Sequence, residues 1–496
     1  MNDRGKSDRP VVPASPPNKA AAAVAEAGEG RGLPKGNTAS ETRAGRSAGQ
    51  GASSDLDRVR QVARKDKDVR FTALLHHVSV DRLREAYRAI SPNAAAGVDG
   101  VTWRDYGLDL EANLRDLHAR VHRGAYRARP TRRVFIPKPD GRLRPLGVAA
   151  VEDKILQRAV VEVLNAIYEQ DFLGFSHGFR PGRSQHDALD ALAVGITRKK
   201  VSYVLDADIS DFFTGLDQSW LVKFLEHRIA DRRVLRLIQK WLAAGVIEDG
   251  EWSSTEVGTA QGASVSPLLS NVFLHYVFDL WADQWRRRHA RGEMIIVRFA
   301  DDYIVGFQHE ADARRFLEDL RGRLARFGLE LAAEKTRMIE FGRFAAERRA
   351  ERGLGKPETF QFLGFTHICE ESEQGRFMLK RITDAKRLRA KLHKLKAEVW
   401  RRMHLPIPEQ GLWLGQVVRG HLNYYAVPGN IHAVSAFRDQ ATRYWYRALR
   451  RRSQRSRLNW ERMHRLAQRW LPPAKIVHPW PDARFDARIQ ARSPVR

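Results

Sequence analysis

Two acidic segments contain the residues whose types and spacing suit chemistry on a phosphate group. In one of them, Phe299-Ala300-Asp301-Asp302, the two carboxylates lie between the apolar run 295–300 and the β-prone run 303–307. Two β-prone runs joined by a short link predict a tight hairpin, with Asp301 and Asp302 as the link. Asp-Asp is an unfavoured turn pair, because Gly or Asn tolerates positive φ better, so the pair indicates a function rather than a purely structural turn.

The other acidic segment follows a short apolar run. Tyr203-Val204-Leu205 predicts a buried strand, and Asp206-Ala207-Asp208 comes directly after it. Alternate residues of a strand share a face, so Asp206 and Asp208 are expected on one side, where a cation would offset the cost of burying both.

Asp208, Asp301 and Asp302 therefore form a candidate set of three carboxylates on strand edges of one sheet. Carboxylate oxygens suit Mg²⁺, and two such ions ~3.5–4 Å apart would activate an attacking hydroxyl and steady a leaving pyrophosphate. Phosphoryl transfer needs little beyond such positioning and charge, so the pattern predicts that class of reaction.

Two basic segments lie upstream and must be positioned beside these carboxylates. The stretch 134–147 predicts a β-hairpin with Lys138, Arg142 and Arg144 around its turn, which suits a bound triphosphate; a solvated hairpin tip is the alternative. In the segment 178–184, Arg180 and Arg183 precede a helix predicted to start at Ser184, where they are placed to hold a phosphate backbone. A plain basic loop explains this second segment equally well.

A long amphipathic pattern follows the acidic segments. Apolar residues recur at helical spacing from Leu388 to Met403, which predicts a helix over 383–403. Its other faces are basic and include Lys391, Lys394 and Arg401. With so many like charges, a nucleic-acid duplex is a better partner than solvent alone.

Composition supports the same class of partner. The 496 residues include 86 Lys and Arg against 59 Asp and Glu, a net charge of +27, which favours a polyanion. The single cysteine, Cys369, excludes an internal disulfide framework and zinc sites built on cysteine pairs, and fits a reducing compartment. The sequence has neither an apolar run of the ~18 residues that a membrane span needs nor a signal-peptide pattern.

These features, taken in order, resemble the reverse transcriptases encoded by group II introns, also called maturases. The resemblance covers roughly residues 70–470 and rests on the following motifs: Phe135-Ile136-Pro137-Lys138, Arg144-Pro145-Leu146-Gly147, Gly178-Phe179-Arg180-Pro181-Gly182-Arg183-Ser184, Ala207-Asp208-Ile209, Gln261-Gly262, Phe299-Ala300-Asp301-Asp302 and Phe362-Leu363-Gly364-Phe365. The segment Gly420-His421-Leu422-Asn423-Tyr424-Tyr425 resembles the part of these proteins that binds intron RNA.

The resemblance implies a role for several residues. Asp208, Asp301 and Asp302 match the metal-binding triad, to which the Ile209 carbonyl adds a ligand. Four further positions match the nucleotide pocket: Lys138 and Arg144 hold the triphosphate, Gln261 lines the nucleotide and template pocket, and Phe213 excludes a ribose 2′-hydroxyl. Phe299 replaces the more common tyrosine before Ala-Asp-Asp, which removes only a hydroxyl.

The fold that the resemblance implies is α+β: a right-hand polymerase, with fingers and an antiparallel palm sheet, followed by an α-helical thumb and maturase domain. We expect a low-complexity disordered tail over 1–54, fingers and palm over 55–370, the helical domain over 371–450 and a basic nucleic-acid-binding extension over 451–496. The cysteine-containing endonuclease domain of some relatives is expected to be absent.

The implied activity is RNA-directed DNA synthesis by a mobile intron's protein, with intron RNA, a target DNA primer and dNTPs as partners. Two Mg²⁺ ions, replaceable by Mn²⁺, are the implied cofactors. The resemblance further implies a cytoplasmic, nucleoid-associated bacterial protein without a membrane, and leaves monomer and homodimer open. Two alternatives remain: a splicing-only RNA-binding maturase, and a reverse transcriptase of a related defence or diversity-generating system.

Overall fold

The computed structural model describes residues 50–137, 143–248, 251–253, 262–453 and 458–492. These residues form a mixed helix and sheet fold. The strands are β1 Thr131–Pro137, β2 Leu143–Val148, β3 Tyr203–Ala207, β4 Val246–Glu248, β5 Glu251–Ser253, β6 Met294–Phe299, β7 Asp302–Phe307, β8 Arg337–Glu340, β9 Phe360–Phe362, β10 Phe365–Glu371 and β11 Phe377–Thr383.

The α-helices carry most of the chain. They are α1 Gln50–Lys65, α2 Val80–Arg88, α3 Trp103–Gly107, α4 Leu110–His122, α5 Val151–Asp171, α6 Gln185–Arg198, α7 Phe212–Gly215, α8 Gln218–Glu226, α9 Arg232–Leu242, α10 Ser266–Leu274, α11 Leu280–Arg288, α12 Glu310–Ala325, α13 Ala345–Glu351, α14 Ala385–Arg401, α15 Ile407–Tyr425, α16 Ile431–Arg451, α17 Trp460–Trp470 and α18 Pro481–Arg492. A 3₁₀ turn spans Leu75–His77, and a π-helical turn, His275–Asp279, joins α10 to α11.

The strands form three sheets among the described residues. The central sheet has the order β6-β7-β3-β8 and is antiparallel throughout. The hairpin sheet has the order β2-β1-β4-β5, in which β1 and β2 form the predicted antiparallel hairpin and β1 pairs with β4 in parallel. The third sheet, β11-β10-β9, is antiparallel. The mixed helical and antiparallel-sheet architecture is thus confirmed.

The described residues form three apolar core clusters. The first surrounds α5 and α10 and extends under one face of the central sheet, where Leu205 and Val305 lie. The second lies between α6, the other face of the central sheet and the three-stranded sheet. The third belongs to α14–α17 alone, with Trp445 of α16 at its centre. The side chains of β3 therefore alternate between two clusters, as the period of a strand requires.

The predicted starts and ends of several elements can be compared with the structure. Ser184 caps α6 and forms a reciprocal capping box with Asp187. The helix predicted over 383–403 is α14, capped by Asp384. The first helix begins at Gln50, ahead of the boundary expected at residue 55, and its residues Leu56, Val59 and Ala63 are buried in the first apolar cluster. Residues 1–49 lie outside the described residues.

No helix among the described residues is both long enough and apolar enough to cross a membrane.

Candidate active site

One edge of the central sheet carries the acidic residues singled out from the sequence. Strands β6 and β7 pair up to Phe299 and Asp302, so the two loop residues of their hairpin are Ala300 and Asp301. The predicted link, Asp301-Asp302, was wrong by one residue, since Asp302 is already the first residue of β7. Positive φ falls on Ala300, at 58°, rather than on an aspartate.

Two contacts on Ala300, one from within the hairpin and one from outside it, explain this one-residue difference. The Arg298 guanidinium donates to the Ala300 carbonyl at 2.8 Å. Gly178 lies directly against the turn: a Cβ on Gly178 would stand 2.2 Å from the Ala300 nitrogen. The turn conformation is therefore imposed by neighbours that short-range turn preferences do not reveal.

Asp208 lies beside this turn because of the strand register. Ala207, the last residue of β3, pairs with Tyr303 of β7, which places the next residue, Asp208, at the level of Asp302. The chain after β3 is fixed to the segment 330–332: the Ala332 amide donates to the Asp208 carbonyl at 2.9 Å, and the Ser210 amide donates to the Glu330 carbonyl at 2.8 Å. Neither bond uses the carbonyl of Ile209, the residue between them.

Asp206 adds a fourth carboxylate to this edge. It pairs with Arg337 of β8, with 3.6 Å between Nη2 and Oδ2. Burial raises the pKa of Asp206 to about 6, although Arg337 opposes the shift; the charge of Asp208 makes a smaller contribution in the upward direction. The edge is thus rich in negative charge that the protein only partly compensates.

Lys335 supplies a positive charge at this edge. Its ammonium donates to the Asp208 carboxylate from a position 127 residues along the chain. Burial alone would lower the pKa of Lys335, but the bond to Asp208 and the charges of Asp302 and Asp301 raise it. Asp208 therefore contacts this cation directly, while Asp301 and Asp302 act on it only through their charge.

The donor set fits a divalent metal ion in kind. Hard carboxylate oxygens are the ligands that Mg²⁺ prefers, and the Lys335 ammonium stands in for a cation among them. Among the described residues, no three His, Cys, Asp or Glu side chains are grouped closely enough to hold one ion. Metal binding by Asp208, Asp301 and Asp302 thus requires Lys335 to release Asp208.

The predicted nucleotide-binding residues are only partly within the described chain. Phe213 is buried in α7 and its ring packs edge-on against Phe212, with 5.2 Å between centroids. Arg144 pairs with Ile136 in the hairpin sheet. Lys138, Gln261 and the side chain of Arg144 lie outside the described residues.

Gly262 nevertheless brings the segment after Gln261 against the hairpin sheet. It adopts φ +104°, and a Cβ there would stand 2.3 Å from the Gly147 carbonyl oxygen of β2. Only glycine permits that approach. The backbone next to Gln261 is therefore held near the strand that carries Arg144.

The residues predicted to hold a nucleic-acid backbone differ in their surroundings. Arg180 is buried: it donates to Glu169 at 3.0 Å and to the carbonyls of Leu173 and Ser176. Arg183 donates to the Gly174 carbonyl at 2.6 Å. A phosphate contact from Arg180 stays a prediction, and it would require these bonds to be exchanged.

The three predicted basic residues of α14 also differ. The Lys391 ammonium lies over the Phe437 ring, 5.5 Å from its centroid, and burial lowers the pKa of Lys391. Lys394 is exposed, and Arg401 is exposed but paired with Glu398 at 2.8 Å. Of the three, Lys394 is the most available to a polyanion.

Two residues of this site were not predicted from the sequence. Lys335 pairs with Asp208 only through tertiary structure, and nothing in its local sequence marked it. Arg298 could have been noticed, since it is the one charged residue of the otherwise apolar strand β6. A charge within a buried strand requires a partner, and that requirement is itself a signal.

Comparisons with known proteins agree with this geometry. A sequence model of the family described as "Reverse transcriptase (RNA-dependent DNA polymerase)" matches residues 136–367. Protein YkfC of Escherichia coli K12 is 32% identical over 313 residues, which are 56% of this chain and 81% of YkfC.

The names of two further relatives refer to introns. The "Group II intron-encoded protein LtrA" of Lactococcus lactis is 32% identical over 222 residues, 44% of this chain and 37% of LtrA. The "Uncharacterized 91 kDa protein in cob intron" of Schizosaccharomyces pombe is 40% identical over 146 residues, 29% of this chain and 18% of that protein. The chain thus spans most of YkfC but well under half of either intron protein.

Proposed function

This chain belongs to the family of group II intron-type reverse transcriptases and maturases, and we propose that it is an RNA-directed DNA polymerase that also binds intron RNA. The observation that carries the proposal is the strand register, which brings Asp208 beside the turn of Asp301 and Asp302 at the edge of the central sheet, where Lys335 pairs with Asp208. A splicing-only maturase has no need of such a charged edge.

The right-hand polymerase architecture is part of this proposal. The central sheet would be the palm, the hairpin sheet would belong to the fingers, and α14–α16 would form the thumb and maturase domain. The order of elements along the chain supports the assignment, and so does the separate apolar cluster of α14–α17.

The proposed reaction joins a primer 3′-hydroxyl to the α-phosphate of a dNTP, and pyrophosphate leaves. Two Mg²⁺ ions, when bound, would activate the hydroxyl and neutralise the developing charge on the pyrophosphate. Asp208, Asp301 and Asp302 would hold the ions once the Lys335 ammonium leaves Asp208. Lys138 and Arg144 would hold the triphosphate, Gln261 would line the pocket, and Phe213 would exclude a 2′-hydroxyl.

Primer extension on an RNA template tests the activity. Asp208→Asn, Asp301→Asn and Asp302→Asn should each slow nucleotide addition by about 10²–10³-fold, because each removes several kcal/mol of ion-mediated stabilisation. Asp211→Asn is the matched control. Asp211 is exposed and left-handed at φ 40°, a conformation that Asn tolerates, so extension should stay near the wild-type rate.

Three outcomes separate the alternatives. Undiminished synthesis by the three variants would remove the carboxylates from the mechanism. A wild-type chain that promotes intron splicing but extends no primer would be the splicing-only maturase. Synthesis without any affinity for the intron RNA would favour a related non-intron reverse transcriptase.

The intron RNA is proposed to bind the helical region through an exposed basic stripe on α16, formed by Arg443, Arg447 and Arg450. These residues recur at helical spacing and face away from the buried Trp445. Such a stripe contributes affinity mainly through phosphate charge.

Replacement of the stripe should therefore weaken RNA binding in a salt-dependent way. The triple Ala variant should lower the slope of log K against log[salt] by about 2–3, since each lost phosphate contact removes nearly one unit. Arg314 and Arg321, two exposed arginines of α12, provide a matched control pair. An unchanged slope in the α16 variant would place the RNA elsewhere.

A further inference from the structure

A buried arginine lies directly beneath the catalytic turn. Arg298, in β6, has no solvent-exposed surface, and neither has Asp279, its partner. The guanidinium donates to the Asp279 carboxylate in a bidentate way, from Nε at 2.7 Å and from Nη2 at 2.6 Å. Such two-point pairing fixes the orientation as well as the position of a guanidinium.

The remaining donors of Arg298 connect three other parts of the chain. Nη1 donates to Asn271 Oδ1 at 3.0 Å and to the Ala300 carbonyl at 2.8 Å, and Nη2 donates to Ser176 Oγ at 2.8 Å. An arginine has five N–H donors, and all five are used here. Arg298 thus joins β6, α10, the segment around Ser176 and the turn itself.

Main-chain bonds strengthen the same junction. The Arg298 amide donates to the Phe175 carbonyl at 2.9 Å, and the His177 amide donates to the Arg298 carbonyl at 2.8 Å. Asn271 Nδ2 donates to the Gly178 carbonyl at 2.7 Å. The loop that presses on Ala300 is therefore held by the same residues that hold Arg298.

The π-helical turn explains how Asn271 and Asp279 both reach Arg298. In a regular α-helix, eight residues advance about 80° beyond two full turns, so the two side chains would diverge. One extra residue in a π turn shifts the second side chain back by about 100°, which leaves the two only about 20° apart. The turn at His275–Asp279 thus brings both polar side chains onto one face.

The neighbouring histidine does not compete for Asp279. His275 Nδ1 lies 3.9 Å from Asp279 Oδ2, and burial lowers the pKa of His275 to about 4. At neutral pH the ring carries no charge, so the Asp279 carboxylate serves Arg298.

We propose that Arg298, oriented by Asp279 and Asn271, is a positioning residue that sets the placement of the Asp301 and Asp302 carboxylates for metal binding. Ala300 adopts a left-handed conformation that costs an L-residue energy, so the turn needs a contact that stabilises it. The bond from Arg298 to the Ala300 carbonyl supplies it, one residue before Asp301. A buried ion pair contributes little net stability compared with an apolar pair, so geometry is the advantage that this one offers.

The proposal rests on the proposed function, because it concerns ions at the same carboxylates. Its test is a double variant, Arg298→Met with Asp279→Leu, which removes both charges and keeps the volume. Because no charge is left unpaired, the variant should fold. Mn²⁺ binding, measured by electron paramagnetic resonance of the free ion, should weaken about tenfold, and nucleotide addition should slow about a hundredfold, as expected for a misplaced turn. The KM for dNTP should change little.

The matched control is another buried pair, Arg228 and Asp171, 3.0 Å apart. Its double variant, Arg228→Met with Asp171→Leu, should leave Mn²⁺ binding unchanged. If the Arg298 double variant does not fold, Asn271→Ala supplies the second measurement: it leaves both charges in place and should weaken Mn²⁺ binding about threefold.

Each result decides between the two proposals. Wild-type Mn²⁺ affinity in a folded Arg298 double variant, or in Asn271→Ala, overturns the positioning role and leaves the polymerase proposal intact. A wild-type chain that neither binds Mn²⁺ nor extends primers overturns both. Weak Mn²⁺ binding in the Arg298 variant alone, with wild-type binding in the Arg228 control, supports the positioning role.

Discussion

The substitution Gly178→Ala should slow the proposed nucleotide addition by adding a single methyl group. A Cβ at this position would stand 2.2 Å from the Ala300 nitrogen and 2.9 Å from the Phe299 carbonyl carbon. Both are main-chain atoms, so no side-chain rotation relieves the overlap. Since ordinary contact begins near 3.4 Å, the turn at Ala300 or the loop at Gly178 must retreat by about 1.2 Å.

The loop has little freedom to retreat, because Asn271 donates to the Gly178 carbonyl at 2.7 Å. Most of the displacement therefore falls on the turn that carries Asp301. A misplacement of about 1 Å is enough to slow an enzyme about a hundredfold, while overpacking of this kind costs about 1–3 kcal/mol of folding stability.

Single-nucleotide incorporation at saturating dNTP measures the first effect and thermal unfolding measures the second. Gly174→Ala is the control, because Gly174 lies in the same loop and a Cβ there meets nothing within 4 Å. A folded Gly178→Ala protein with the wild-type rate would refute the steric argument. Equal slowing by Gly174→Ala would assign the effect to the loop rather than to the contact with Ala300.

Four further substitutions, one of them a control, test the charges that the structure reveals. Asp190→Ala should cost about 3–5 kcal/mol in thermal unfolding, because it leaves the buried Arg381 without the carboxylate 3.0 Å away; Asp486→Ala, which breaks an exposed pair, should cost under about 1 kcal/mol. His421→Phe should reduce the loss of stability in acid. Burial, aided by Lys391, lowers the pKa of His421 to about 3. Because the unfolded chain takes up a proton near the ordinary pKa of 6.5 and the folded state does not, acid destabilises the wild-type fold. Between pH 7 and 5 the free energy of unfolding of the variant, measured in denaturant titrations, should therefore fall by about 2 kcal/mol less than that of wild type. Lys335→Gln should tighten Mn²⁺ binding about fivefold, the effect of about 1 kcal/mol of repulsion removed at a largely exposed site; weaker binding would show instead that Lys335 supports the ions.

Elements with a clear local period were predictable from the sequence. The β1–β2 hairpin, the strand at Tyr203 and the helix α14 were all identified from alternation or helical spacing within one short segment. The Ser184 cap of α6 was likewise a local signal. These features depend on residues a few positions apart, which sequence patterns record directly.

Features that depend on distant residues were not predictable in this way. The hairpin loop is displaced by one residue because Arg298 and Gly178, more than a hundred positions apart, constrain Ala300 together. Lys335 meets Asp208 across 127 residues. Arg180 looked available to phosphate because its segment is basic, yet its guanidinium is bonded to Glu169 and two carbonyls. Local charge does not tell an exposed arginine from one that holds a loop together.

The acidic residues of the C-terminal extension form ion pairs with basic residues elsewhere in the protein. Asp482 and Asp486 of α18 pair with Arg198 of α6, at 2.9 and 2.7 Å. Arg484 of the same helix reaches Asp190 of α6, which also holds Arg381 of β11. Both acidic residues of α18 therefore make ion pairs within the protein.

These contacts form a physical connection between the helical region and the edge of the central sheet that carries the proposed active site. The Val477 amide donates to the Ala426 carbonyl, just after α15, at 3.0 Å, while α18 docks on α6. Gly195 of α6 lies against Ile295 of β6, since a Cβ on Gly195 would stand only 2.9 Å from Ile295 Cδ1. The same strand, β6, continues to Arg298. A polyanion bound to the outward-facing arginines of α16 would thus act on a series of packed elements, α18, α6 and β6, that ends beneath Asp301. Because packed contacts of this kind transmit displacement rather than absorb it, we expect RNA binding and nucleotide addition to be coupled, and the Asp190→Ala variant should reduce that coupling when the rate of primer extension is compared with and without bound intron RNA.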